Sequence, residues 1–202
     1  INYSIEIARR LTEDEHICVS TDSREIAAVV ESAGLKIPFL RPPELASDTA
    51  GSREVIVHAL DYYAQQNKKY DMVVLLQPTS PFRKLADLQA MITMFESGLD
   101  MVVSVSEPHV NPYFSLFEEN ASGFLELSKK GSFTRRQDCP KVYAYNGSVY
   151  VINTESIRHK NFSEFSLVRK FIMNEINSVD IDNQFDWWIA EMILEKSIWE
   201  AQ

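Results

Sequence analysis

Two runs constrain the fold more than anything else in the chain: DMVVLL at residues 71–76 and DMVVSVS at 100–106. Both are short, largely apolar runs built around valines, the pattern of strands covered on both faces. Between them lies KLADLQAMITMFESG, whose Leu85, Leu88, Ile92 and Phe95 share one helical face. Two strands joined by a helix of that length require a crossover, and crossovers build parallel sheets. The same alternation precedes them. INYSIEIARRL reads as a helix with Ile1, Ile5, Ala8 and Leu11 on one face, and HICVS as a short buried strand. REIAAVVESAG is a helix with Ile26, Val29, Val30 and Ala33 inward, closed by Gly34. IPFL is a brief strand, and SREVIVHALDYYAQQ a helix burying Ile56, Ala59, Leu60 and Tyr63.

The pattern breaks at residues 107–145. There Pro108, Pro112, Gly123, Gly131 and Pro140 punctuate short aromatic runs such as YFSLF. This stretch is expected to leave the sheet as an extended hairpin arm, and an arm unable to bury its apolar residues alone is expected to pack on a second subunit. The strand SVYVIN follows, and after Asp182 comes a helix with Phe185, Trp188, Ile189, Met192 and Ile193 on one face. The expected fold is therefore α/β, a mostly parallel sheet flanked by helices, in one domain spanning 1–202. A chain opening directly on a core helix is expected to continue ahead of Ile1 in the natural protein.

A net charge of −9 argues against a general nucleic-acid binder. An anionic nucleotide would need a local basic cluster or a metal ion. Cys18 and Cys139 make no disulfide framework, no apolar run approaches a bilayer span, and no signal peptide opens the chain, so a soluble, cytoplasmic protein is expected. The four histidines lack metal-ligand spacing, and no nucleophile elbow is present.

Open α/β sheets collect ligands at the carboxyl ends of their strands, and the unusual residues fall there. In LLQPTSPFR, Gln77 ends a strand with an amide that both donates and accepts, suited to a ligand hydroxyl. Ser80 reads equally well as a helix cap ahead of Pro81. In RPPELASDTAGS, two prolines hold Arg41 extended so that its guanidinium can be aimed, and Ser52 lies near a helix start; a surface arginine and a routine cap are the plainer readings. The adjacent Arg135 and Arg136 fit phosphate or carboxylate oxygens, or a solvated charge pair. In SVDIDNQFDW, Asp182 alone reads as a helix cap, but the strand period points Asp180 the same way. Paired carboxylates with ligand phosphates are a common way to hold Mg²⁺.

In this order, RPPELASDTA, LLQPTSPFR, RRQDCP, YNGSVYV and SVDIDNQFDW resemble the acylneuraminate cytidylyltransferases, the CMP-sialic acid synthetases, over essentially the whole chain. The resemblance implies a Rossmann-like nucleotide-sugar transferase fold and a homodimer joined through extended arms. It implies the reaction of CTP with an N-acylneuraminate to give CMP-N-acylneuraminate and pyrophosphate. It places Arg41 and Ser52 at the cytidine, and Gln77, Asn146, Gly147 and Tyr150 at the sugar. Arg136, beside Arg135, becomes the catalytic arginine, and Asp180 and Asp182 become ligands of Mg²⁺ (or Mn²⁺), with Asp182 catalytic. Family members open with a strand and a basic, glycine-containing loop that holds the triphosphate; nothing ahead of Ile1 supplies these here, so the chain as given is expected to bind CTP weakly without turnover. Ala144 stands where some bacterial relatives carry arginine, and Phe114 about where some carry lysine. The alternatives are a CMP-activating enzyme for another ulosonic acid, such as Kdo, Kdn or legionaminic acid, and a non-catalytic nucleotide-sugar-binding protein.

Overall fold

A computed structural model describes residues 1–47, 51–197 and 199. Its centre is a four-stranded sheet of β1 (Met72–Leu76), β2 (Met101–Ser106), β5 (Ala144–Asn153) and β6 (Val168–Ile172), in the order β1-β5-β2-β6. β2 pairs in parallel with β6, whereas β5 runs antiparallel to both β1 and β2. Three of the four strands thus point the same way, and the sheet is mixed. The reversal has a simple cause: the chain leaves β2 into the 107–143 excursion and re-enters from the same end, so the next strand must run back.

Side-chain alternation assigns the layers. On one face Met101, Val103, Val105 and Ile152 pack with Ile56 and Leu60 of α3 (Ser52–Ala64) and Ile157 of α5 (Thr154–His159). On the other, Val102, Val149 and Val151 pack with Ile7 of α1 (Asn2–Arg9) and with Leu88 and Met91 of α4 (Leu85–Met94). β2 is buried on both faces, as its sequence demands. α2 (Arg24–Ser32) contributes Val30 to a smaller cluster with Ile5 and Leu35. The excursion contains the expected hairpin, β3 (Phe117–Glu119) against β4 (Leu125–Leu127). No helix among the described residues is long and apolar enough to cross a membrane.

Three expectations fail locally. HICVS and IPFL form no ladder; a single parallel bridge, Thr21 to Leu40, and the Arg41 N–H on the Thr21 carbonyl at 2.8 Å join them. Pairing needs a neighbour, and the other side of 17–21 faces a groove rather than a strand. In α2, Ile26 and Val29 are exposed; Ile26 lines that groove. In α6 (Gln184–Glu195), Phe185, Trp188 and Met192 are 64%, 59% and 44% exposed. The helix instead buries Ala190 and Ile193 against Phe82, with Ile189 beside them.

Candidate functional site

β1 ends at Leu76, and the chain turns through Gln77–Pro81. Arg83, only 2% exposed, fixes that turn. It donates to the carbonyl of Gln77, to the carbonyl of Ser148 on β5 at 3.0 Å, and to the hydroxyl of Ser4 on α1 at 3.1 Å. Burial lowers its pKa to about 10, with the charge of Asp180 opposing the shift, so the guanidinium stays protonated at neutral pH. One buried cation therefore ties the end of β1 to the middle of β5 and the start of α1.

Beside it lies a carboxylate pocket. Ser80 donates to Asp180 Oδ1 at 3.2 Å, and the Ile181 N–H meets the Thr79 carbonyl at 3.0 Å, locking the loop after β6 onto the turn after β1. Ser80 is not a helix cap: α4 begins only at Leu85, behind Lys84. Against the other carboxylate oxygen lies Gly147, at φ +72°, where a Cβ would stand 2.7 Å from Asp180 Oδ2. Gly147 reaches there through a bulge. Val103 pairs with Tyr150, but Val105 pairs with Tyr145, so two steps on β2 span five on β5. Bulges of this kind re-aim residues beside active sites.

Asn146 stabilises the bulge. Its buried amide accepts from Ser104 Oγ at 2.6 Å and donates to Ser178 Oγ at 2.9 Å. Tyr150 is half-buried, edge-on to Tyr145 and Phe162. Burial chiefly, and then the Asp180 charge, raises its phenol pKa. Asp182 is exposed, and its helix-cap reading is excluded: Asn183 caps α6, in a reciprocal box with Asp186. The Asp182 carboxylate makes no hydrogen bond or ion pair among the described residues.

Gln77, Arg41 and Ser52 line the polar end of one groove of about 970 Å³. Arg41 Nη2 donates to Asp22 at 2.8 Å, which holds the Asp22 carboxyl below its usual range, while Arg41 Nε is buried without a partner among the described residues. Asp48, Thr49 and Ala50 of the same loop lie outside the described residues. Arg135 and Arg136 stand apart from this group. Arg135 pairs with Asp138, Arg136 donates to the Pro108 carbonyl, both are exposed on the arm, and neither lines the groove.

The structure thus gathers two groups, Arg41–Ser52–Gln77 and Ser80–Gly147–Asp180, linked by Arg83. Sequence reasoning passed over Arg83 and the bond from Ser80 to Asp180. The available signal for the arginine was its place next to Phe82, which is fully buried.

Asp180 and Asp182 suit a hard divalent cation. Both offer carboxylate oxygens, and no cluster of three or more His, Cys, Asp or Glu side chains forms among the described residues.

The Cytidylyltransferase family model matches residues 1–184. The chain is 29% identical to the CMP-N,N'-diacetyllegionaminic acid synthase of Legionella pneumophila over 196 residues, covering 96% of this chain and 84% of that protein. It is 32% identical to the N-acylneuraminate cytidylyltransferase of Escherichia coli over 203 residues, covering 96% of this chain but 45% of that longer protein. Among solved structures, CMP:2-keto-3-deoxy-manno-octonic acid synthetase complexed with CTP superposes with a TM-score of 0.59 at 12% identity, over 89% of this chain and 80% of that one, a likeness of fold alone. With its mixed sheet, its strand-end cluster and a family match over most of its length, the chain belongs to the cytidylyltransferase family.

Proposed function

We propose that the protein activates a nonulosonic acid by transferring CMP from CTP. The anomeric hydroxyl oxygen bonds to the α-phosphorus as the α–β phosphoanhydride bond breaks, the hydroxyl loses its proton, and pyrophosphate leaves with the bonding electrons. Arg41 and Ser52 hold the cytidine end, with Arg41 Nε as a buried donor awaiting an acceptor. Gln77 and Tyr150 line the way to the sugar, and the Asn146–Gly147 bulge shapes that wall. Arg135 and Arg136, on the arm away from this groove, meet phosphate or carboxylate oxygens by reaching across the dimer proposed below, with Arg136 in the catalytic role. Asp180 and Asp182 would hold a Mg²⁺ or Mn²⁺ ion, which would supply charge neutralisation on the phosphates. Most of the rate then comes from positioning and charge compensation.

One observation carries this reading. Asp180 is oriented from two sides by Ser80 and Gly147, and Asp182 beside it is left free by a cap that uses Asn183 instead. N-acylneuraminate is the proposed acid. A second reading, a legionaminic acid, is favoured by the coverage of the Legionella synthase, which the chain matches over most of that protein's length. We further propose that the arm forms a homodimer, since Phe117, Phe124 and Leu125 on its hairpin are 50–69% exposed.

Incubating the intact protein with CTP and, in turn, N-acetylneuraminate, a legionaminic acid and Kdo tests the reading. The expected result is pyrophosphate release with a nonulosonic acid, highest with N-acetylneuraminate, and a loss of about a hundredfold in Asp182→Asn. A non-catalytic binding protein would release pyrophosphate with none of them.

A further inference from the structure

Asn146 faces inward. It is 8% exposed, and protein groups take all four hydrogen-bonding positions of its amide. Its Oδ1 accepts from Ser104 Oγ at 2.6 Å and from the Ser148 N–H at 3.2 Å. Its Nδ2 donates to Ser178 Oγ at 2.9 Å and to Met173 Sδ at 3.5 Å. These partners also fix which way the amide points, because a backbone N–H only donates and a thioether only accepts. An amide so occupied keeps no donor or acceptor for a ligand.

The two halves of that amide reach different parts of the fold. The oxygen side is anchored in the core: Ser104 lies on β2, is fully buried, and its Oγ accepts from the Val149 N–H of β5 at 2.9 Å. The nitrogen side holds the loop after β6 at two points, Met173 at its start and Ser178 just ahead of Asp180. A chain of hydrogen bonds therefore runs from Val149 through Ser104 and Asn146 to Ser178, each polarising the next.

Residues 173–183 form neither strand nor helix, so their course is set by such fastenings. The Ser178 N–H closes a turn on the Asn174 carbonyl at 3.0 Å. Past Met173 the loop is also held by Asn177 Nδ2 on Asp87 Oδ2 at 3.2 Å, by the Ile181 N–H on the Thr79 carbonyl, and by Ser80 on Asp180. Those three run to α4 and to the turn after β1. The Ser178 bond runs to β5 and, through Ser104, to β2, the strand buried on both faces.

We propose that Asn146 is a positioning residue for Asp180, acting through Ser178, and not a contact of the sugar. This role rests on the reading of Asp180 as a cation ligand and is independent of which acid is activated. The two residues of the bulge then divide the task. Gly147 lies against the Asp180 carboxylate, while Asn146 fixes the backbone that carries it. The sugar-facing part of β5 falls to Tyr150 instead, whose ring is half-buried and open to contact.

Ser178→Ala tests this, because it cuts the loop from Asn146 and leaves every group proposed to touch substrate. In the intact protein with CTP and no sugar, Mn²⁺ affinity by electron paramagnetic resonance is expected to fall about fivefold, short of the loss from removing a group bonded directly to a ligand. With no ion present, the Ile181 amide, held on the Thr79 carbonyl, is expected to exchange about fivefold faster. The KM for the acid stays within about twofold while kcat falls, and Ser178→Thr, which keeps the hydroxyl, restores all three. Asn146→Ala is expected to repeat the pattern; should it fail to fold, the Ser178 variants decide alone. A wild-type value of either affinity or exchange in Ser178→Ala overturns the proposal. So does a rise of about tenfold in the acid's KM in Asn146→Ala with affinity and exchange unchanged, the mark of a sugar contact. If the protein releases no pyrophosphate with any acid, the reading of its reaction fails while the Mn²⁺ and exchange measurements still decide. If the wild type binds no Mn²⁺, the cation reading fails and exchange at Ile181 decides whether Asn146 holds the loop.

Discussion

Replacing Gly147 by alanine separates two consequences that the structure keeps distinct. The left-handed backbone at φ +72° costs an L-residue about 1–2 kcal/mol. At about 2–4 °C per kcal/mol for a chain of this size, the melting temperature falls by about 2–8 °C. The second consequence is local. The new Cβ would lie 2.7 Å from Asp180 Oδ2, whereas ordinary contact begins near 3.4 Å, so the carboxylate must retreat by about 0.7 Å. A misplacement approaching 1 Å at reacting groups costs up to about a hundredfold in rate. A loss of about 30- to 100-fold in kcat/KM, or about 2–3 kcal/mol, is therefore expected. Gly147→Asn is the control, because asparagine tolerates left-handed backbone but carries the same Cβ. It is expected to recover much of the melting temperature and little of the turnover. Steady-state CMP-sugar formation measured well below the melting point, alongside calorimetry, gives both numbers. If Gly147→Ala keeps half or more of wild-type turnover while losing stability, the placement of Asp180 by this glycine is refuted.

Two further outcomes follow from other parts of the fold. Asp100 is 2% exposed and accepts from Lys160, Ser156 and the N–H groups of Ser166 and Leu167. The Lys160 hydrogen bond, chiefly, holds its carboxyl far below the usual range. A depressed folded-state pKa contributes stability above the unfolded value, about pH 4, and loses it as pH falls toward the folded value. Asp100→Asn is expected to cost about 2 kcal/mol at pH 7 and to flatten the decline below about pH 4 in urea unfolding; an unchanged acid limb would contradict this. Separately, Phe124→Asp with Leu125→Asp is expected to convert a homodimer to a monomer in light scattering, and a dimer surviving both changes would move the interface off the hairpin.

How much of this was legible depended on whether the signal lay in one segment or between two. β1, β2 and α4 were plain, because a short apolar run and a helical stripe are properties of a single stretch. The direction of β5 was not, since periodicity says which face a side chain takes and nothing about which way a strand runs. HICVS and IPFL have strand composition, yet a ladder requires a partner, and 17–21 has a groove on its free side. The face of α6 was misjudged because Trp188 and Met192 share a helical stripe with Ile189 and Ile193, while Phe82 and the 176–181 loop cover only part of it. At the site, the period of two paired Asp180 with Asp182, but residues 173–183 form a loop rather than a strand, and it is the bond from Ser80 that holds Asp180 while Asp182 is exposed. The bond from Ser80 crosses 100 residues, and Arg83 binds groups from three elements, so neither could be read from spacing.

Electron paramagnetic resonance of Mn²⁺ titrated into the intact protein with CTP tests the central claim most directly. One tightly bound ion is expected in the wild type, with affinity reduced at least about tenfold in Asp180→Asn and in Asp182→Asn, while both variants keep the wild-type melting temperature to within about 3 °C. Unchanged Mn²⁺ affinity in both variants would show that these carboxylates do not hold the cation, and the proposed chemistry would lose its foundation.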